Sequence, residues 1–164
     1  VICRQVLGQK TIAGGMDAIV KAERAMSCNY LLVDRFGEIY DIEATVGEYA
    51  AIYGEEGFLV HTNHFLSNFD FGKDIFRNLI PTTITRKQRM RNLLGSKSGE
   101  IDVENLQGFM KDHRNYPQSI CAHGDELAEE GLKTLDALIT VVTDKVMWVA
   151  KGNPCRSEFF KYSL

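Results

Sequence analysis

Gly57-Phe58-Leu59-Val60-His61-Thr62-Asn63-His64-Phe65 passes without a break from a short apolar run into four polar residues. A continuous run such as Phe58-Leu59-Val60, bounded by glycine on one side and loop residues on the other, predicts a strand buried on both faces. Such a strand delivers Thr62, Asn63 and His64 to one edge of a core. Amide and imidazole groups held there must be hydrogen-bonded in place or presented to a ligand, because a dry, unpaired polar group costs about 1–3 kcal/mol. The tetrad His61-Thr62-Asn63-His64 is therefore the candidate site. The plain alternative is that these groups only satisfy neighbouring backbone.

Working upstream, Asn29-Tyr30-Leu31-Leu32-Val33-Asp34 is strand-like, and Arg35-Phe36-Gly37-Glu38 supplies a turn. Ile39 to Thr45 alternates apolar with polar and returns as a half-buried strand. Glu48 to Tyr53 is a third strand, and Gly54-Glu55-Glu56-Gly57 leads into the opening stretch. Four strands in succession with short turns predict an antiparallel meander rather than βαβ units. Ahead of them, Val1 to Leu7 reads as the tail of a helix. A second helix is expected after Gly14-Gly15, from Met16 to Met26, with Ala18, Ile19, Ala22 and Met26 on one stripe.

Downstream, Phe65 to Ile80 reads as an ordered loop in which Phe65, Phe69, Phe71 and Phe76 wall a pocket or pin the loop to the core. Thr85 to Leu94 is a basic amphipathic helix ended by Gly95, most simply with a solvated face. Asp102 caps a helix through Met110, which the Tyr116-Pro117 region ends. Ser119 to His123 is read as a strand, and Asp125 to Lys133 as a polar linker. Thr134 to Val142 and Lys145 to Ala150 form a long hairpin, followed by an irregular end strapped down by Phe159, Phe160 and Tyr162.

With 164 residues, 45% of them hydrophobic and 25% charged, the chain has the composition of one ordinary globular domain large enough to bury a core. A net charge of −3 speaks against a nucleic-acid partner, which needs a basic footprint. Cys3, Cys28, Cys121 and Cys155 are widely spread and make no C-x-x-C pair, so their spacing indicates neither a zinc knuckle nor a redox motif. They read as reduced thiols of a cytoplasmic protein. No apolar run approaches the length of about 20 residues that a membrane span needs. The start, Val1-Ile2-Cys3-Arg4, lacks both an initiator methionine and a signal pattern, so the chain reads as a fragment or a processed product. His61 and His64, three apart on a strand, would face opposite sides and so do not read as a metal pair. No cofactor is expected.

The landmarks fall in a recognisable order: Asn29 to Asp34, Ile42-Glu43, His61-Thr62-Asn63-His64-Phe65, Asp112-His113 with Pro117 through His123, and Trp148-Val149-Ala150-Lys151-Gly152-Asn153-Pro154-Cys155 ahead of Tyr162-Ser163-Leu164. This order resembles the isopenicillin N acyltransferase family, a branch of the N-terminal nucleophile hydrolases. The wider choloylglycine hydrolase group is similar over Leu31 to Asn63. The resemblance implies an α+β fold of two stacked antiparallel sheets covered by helices (αββα), of which this chain is the C-terminal portion. It also implies that an N-terminal cysteine, freed by self-cleavage, attacks an amide or thioester carbonyl with its own α-amine as base. By the same likeness Asn63 is the oxyanion donor, and Thr62, His64 and Phe65 contact the substrate. Cys3 falls in a helix matching a later part of the family's chain, so the nucleophile would lie upstream. Ala122 stands where members often carry a basic residue.

Two function classes follow. The first is the oxyanion and pocket portion of a cysteine amide hydrolase or acyltransferase acting on a small acyl-amide or acyl thioester. The second is a non-catalytic binding or interaction module on the same scaffold. Unpaired sheet edges would draw in the missing N-terminal part of the same protein or a second copy in a homo-oligomer.

Overall fold

In the computed structural model, which describes residues 1–69, 74–124 and 132–164, the chain divides into two units, Val1–Ile75 and Phe76–Leu164. The first opens with helices α1 (Ile2–Leu7) and α2 (Ile12–Val20), followed by strands β1 (Cys28–Val33), β2 (Ile39–Ala44) and β3 (Tyr49–Tyr53). The strands form one antiparallel sheet in the order β1-β2-β3. Tyr30 lies opposite Ile42, and Ile42 opposite Ala51. Side chains alternate across a strand, so β2 sends Ile42 and Ala44 to one face and Asp41 and Glu43 to the other. The apolar face is the core: Ile19, Ile42 and Ala44 are fully buried, with Ile2, Val6, Met16, Tyr30, Leu32 and Ala51 packed around them.

Helix α2 begins earlier and ends sooner than the apolar stripe suggested. The Thr11 hydroxyl accepts from the Gly14 amide at 3.1 Å, capping the first turn. Gly14 and Gly15 therefore sit inside the helix. Gly15 is buried against Val6 of α1, where a Cβ would stand 3.4 Å from Val6 Cγ1, an ordinary packing distance. At the far end Arg24 stops the helix. Its Nη1 donates to the carbonyls of Ile19 at 2.7 Å, Val20 at 3.2 Å and Ala22 at 3.1 Å, and its Nε to that of Thr45 at 2.5 Å. One guanidinium thus satisfies carbonyls that the helix end leaves unpaired and ties them to the residue just past β2.

The fourth strand of the expected meander is absent from the described residues. Phe58 makes one isolated bridge with Glu55, and the chain from Leu59 to Phe69 joins no ladder. The cause lies on the polar face of β2, where a buried carboxylate takes the donors of this stretch. Phe58 is buried, but Leu59 and Val60 are only half-buried, so the run is not covered on both sides.

Helix α3 (Ile75–Leu79) spans the boundary between the units and occupies part of the stretch read as loop. Residues 70–73 and the side chain of Phe76 lie outside what is described, and with them the pocket role expected of Phe71 and Phe76. The second unit carries α4 (Thr82–Gly95), α5 (Val103–Met110), β4 (Asp136–Val141), β5 (Val146–Lys151), a 3₁₀ turn at Pro154–Arg156 and β6 (Phe160–Ser163). Asp102 caps α5 by accepting from the Asn105 amide at 2.7 Å. The hairpin β4–β5 holds as read, with Ala137 opposite Ala150 and Ile139 opposite Trp148.

Two readings change in this unit. The irregular end instead contains β6, which adds to β5 with Trp148 opposite Lys161 and makes a second three-stranded antiparallel sheet. A four-residue strand carries little signal of its own; pairing decides it. Ser119 to His123 is not a regular strand but a bent stretch whose one β-contact is an isolated bridge of His123 with Lys133, because most of its donors go elsewhere than to a ladder. The Cys121 amide donates to Asp112 O at 3.0 Å and the His123 amide to Pro117 O at 2.9 Å. The linker read over Asp125 to Lys133 lies, for residues 125–131, outside the described residues.

These contacts make Arg24 the most consequential polar residue of the apolar side. Arg24→Met is expected to lower the unfolding free energy by about 1.5–3 kcal/mol, the scale of hydrogen bonds to a charged group. Arg24→Lys should recover less than half, since an ammonium cannot reproduce the fork. Urea midpoints at constant slope would measure both.

Candidate functional site

Glu43 is fully buried, in the register position opposite Asn29 and Ala50. A carboxylate there must be matched by donors, and three converge on it. Oε1 accepts from His61 Nε2 at 2.7 Å and from the Leu66 amide at 2.6 Å, while Oε2 accepts from the Ser67 amide at 2.8 Å. An ionised carboxylate only accepts, so His61 carries its proton on Nε2. Burial alone would push the Glu43 carboxyl up, but the bonds from His61, Leu66 and Ser67 outweigh it and hold the group below the usual glutamate range.

The consequence is a loop clamped at both ends by one side chain. His61 fixes the entry and the Leu66 and Ser67 amides fix the exit. Between them stand the residues singled out in the sequence. Thr62 Oγ1 lies 3.2 Å from His64 Nδ1, and His64 is buried at 7% exposure. Phe65 donates its amide to Asp74 Oδ2 at 2.8 Å and packs edge-on against Phe69, with ring centroids 5.2 Å apart. Asn63 is exposed. The stretch therefore divides: His61 and His64 are anchoring groups, whereas Asn63 lies at the surface.

Asp41 shares the face with Glu43 and is also fully buried, but it lacks a matching set of donors: only Asn29 beside it and His61 Nε2, 4.0 Å away, favour its charged form. Burial pushes its carboxyl above the usual aspartate range, with His61 opposing the shift. Two neighbouring carboxylates on one face are thus shifted in opposite directions, Asp41 by burial and Glu43 by its partners. Sequence reasoning placed both on the half-buried alternation of β2 and missed that the polar side is covered. An open cleft of about 280 Å³ in the same unit is lined by Gly37, Glu38, Ile39, Tyr40, Tyr53, Gly54 and Gly57 and includes none of His61 to Phe65.

The class defined so far is an α+β protein with two three-stranded antiparallel sheets and a carboxylate-anchored loop in which Asn63 is exposed. Residues 1–156 match the family described as acyl-coenzyme A:6-aminopenicillanic acid acyl-transferase, and the chain belongs to that family. The likeness to the isopenicillin N acyltransferases drawn from the order of landmarks is thereby borne out, as is the α+β class. At a stringent threshold no curated protein matches the chain. Among the described residues no helix is long and apolar enough to cross a membrane.

The two carboxylates predict opposite responses. Because the folded-state pKa of Glu43 is lowered, its stabilisation is present above about pH 4.3, the unfolded glutamate value, and is lost as pH falls through the folded value. Glu43→Ala, which leaves His61 and two amides unmatched, is expected to cost about 3–5 kcal/mol at neutral pH. Asp41 is the reverse: with its folded pKa raised, its contribution is present below about pH 3.9 and lost as pH rises through the folded value. Asp41→Asn should therefore leave stability unchanged in acid and raise it at pH 7. Denaturation midpoints of the three proteins across pH 3–8 check both signs.

Proposed function

We propose that this chain forms the oxyanion and pocket side of a cysteine N-terminal nucleophile amide hydrolase or acyltransferase. Its substrate is a small acyl-amide or acyl thioester. The observation that carries the reading is the clamp on Glu43, which holds both flanks of Thr62 to Phe65 while Asn63 stays exposed. The family match supplies the reaction class.

In this reading a thiolate adds to the substrate carbonyl carbon, and the C=O electron pair moves onto oxygen. The Asn63 Nδ2–H group donates to that oxyanion. Collapse of the adduct expels the amine or thiol, which takes up the proton that the nucleophile's α-amine had removed. Water or an acceptor amine then releases the acyl group. Thr62, His64 and Phe65 shape the wall next to the donor. In this reading the thiol is none of Cys3, inside helix α1, Cys28, at the start of β1, or Cys121 and Cys155, which lie beside His123.

In an active enzyme containing this chain, Asn63→Ala is expected to lower kcat about 10²–10³-fold with KM little changed. Residues 1–164 alone should not turn over acyl-amide or thioester. Full kcat in Asn63→Ala would remove the oxyanion role, and turnover by residues 1–164 would return the nucleophile to this chain. A second reading, a non-catalytic interaction module, is favoured by the exposed Leu138, Phe160 and Tyr162 on one face of the β4-β5-β6 sheet. A monodisperse monomer in sedimentation would count against it.

A further inference from the structure

We infer that His113, Cys121, His123 and Cys155 form a closed tetrahedral binding site for a zinc-class divalent cation in the second unit. Their ligating atoms, two imidazole nitrogens and two sulfurs, all lie within 4.8 Å of one another. His123 Nε2 stands 3.0 Å from His113 Nε2, 3.5 Å from Cys121 Sγ and 3.4 Å from Cys155 Sγ. A zinc ion with bonds of about 2.0–2.1 Å to nitrogen and 2.3 Å to sulfur separates its tetrahedral ligands by about 3.3–3.8 Å. The three distances from His123 are close to that of a coordination shell, and pairs of up to 4.8 Å close by about 1 Å when the ion is bound.

Hydrogen bonding alone accounts poorly for this convergence. An imidazole Nε2 has either one hydrogen or one lone pair, yet that of His123 faces three heteroatoms at once. A cation at the centre engages one lone pair from each of the four groups.

The backbone brings the ligands together from distant positions. The Cys121 amide on Asp112 O sets Cys121 beside His113, and the His123 amide on Pro117 O closes the turn that carries both Cys121 and His123. Asp112 is itself held by Arg89 of α4, whose Nη2 and Nε donate to Oδ2 at 2.6 and 3.0 Å. Cys155 comes from the 3₁₀ turn. Asn153, just before that turn, donates Nδ2–H to Cys121 Sγ at 3.5 Å and to Ala122 O at 2.6 Å, an outer contact of the kind that orients a metal thiolate.

Two sulfurs and two imidazoles as donors select zinc over calcium or magnesium, which prefer oxygen. Four protein ligands leave no open position, so the ion joins the 112–123 loop to the 154–156 turn and performs no chemistry. Cys121 is buried, Cys155 and His123 are half-buried and His113 is exposed, so the ion enters from the His113 side.

The test is metal content and cobalt spectroscopy on the purified full chain. It should retain about one zinc per chain after dialysis. Replacement by cobalt should produce thiolate-to-cobalt charge transfer and strong tetrahedral d–d bands. Cys3→Ser/Cys28→Ser, which removes the two exposed thiols, should keep those bands, and Cys121→Ser/Cys155→Ser should lose them. Asn153→Ala should fold and bind about 10–100-fold more weakly. Should the double cysteine variant not fold, the exposed His113→Ala is read instead and must weaken binding at least about tenfold. Cobalt bands absent from the folded wild-type chain, bands that follow Cys3 and Cys28, or an unchanged affinity in His113→Ala would overturn the site.

Discussion

The first unit depends on a charge taken out of water. A buried glutamate on the central strand of a three-stranded sheet is costly unless its oxygens are occupied, and Glu43 fills them with one imidazole and two backbone amides. Each of these bonds is charge-assisted and so stronger than a neutral one. Satisfying the carboxylate therefore recruits residues 61–67 to the polar side of the sheet and withdraws them from the ladder. The strand that hydrophobicity alone would build at Phe58 to Val60 is given up because its continuation serves Glu43 better than it would serve a fourth strand.

The two faces of this sheet are held by different physics. On one side Ile42 and Ala44 bury apolar surface beneath two helices, a non-directional force that fixes proximity but not detail. On the other, hydrogen bonds of defined geometry fix which residues meet. Arg24 adds directed bonds to the apolar side, since it ends α2 and grips the carbonyl of Thr45 just beyond β2. Asp41 shows what the polar side costs when a carboxylate is not matched: at the same depth as Glu43, with only Asn29 and His61 to favour its charge, it is driven toward its neutral form.

Elements whose residues carry the period of their own structure were legible in the sequence. The β1–β2 and β4–β5 hairpins, α4 and the Asp102-capped α5 follow directly from alternation, helical spacing and cap chemistry. What was not legible depends on distant partners. The helical glycines of α2 looked like a break because their own low propensity is overridden by the Thr11 cap and by packing against α1. Strand β6 needed β5 to exist. Of the candidate site, Asn63 and its neighbours were found from the apolar-to-polar transition, but the group that organises them, Glu43, read as the solvent side of an alternating strand. The cysteines and histidines of the second unit escaped the spacing test because that test detects ligands close in sequence, whereas Cys121 and Cys155 are joined only by the folded backbone.

A hydrogen-bond donor lowers a barrier only where it already stands when charge develops on the reacting oxygen. For a donor worth about 2.7–4 kcal/mol of transition-state stabilisation, a displacement of about 0.5 Å is enough to forfeit much of the effect. An exposed asparagine on a loop tethered at one end would sweep through such distances freely. Here the two tethers lie two residues before Asn63 and three and four residues after it, and they end on the same pair of oxygens. The entropy of ordering the segment is then offset at the buried carboxylate rather than at the reacting carbonyl. Placing the anchor in the dry interior lets the loop stay in one conformation while Asn63 remains exposed, which is what the proposed oxyanion role requires.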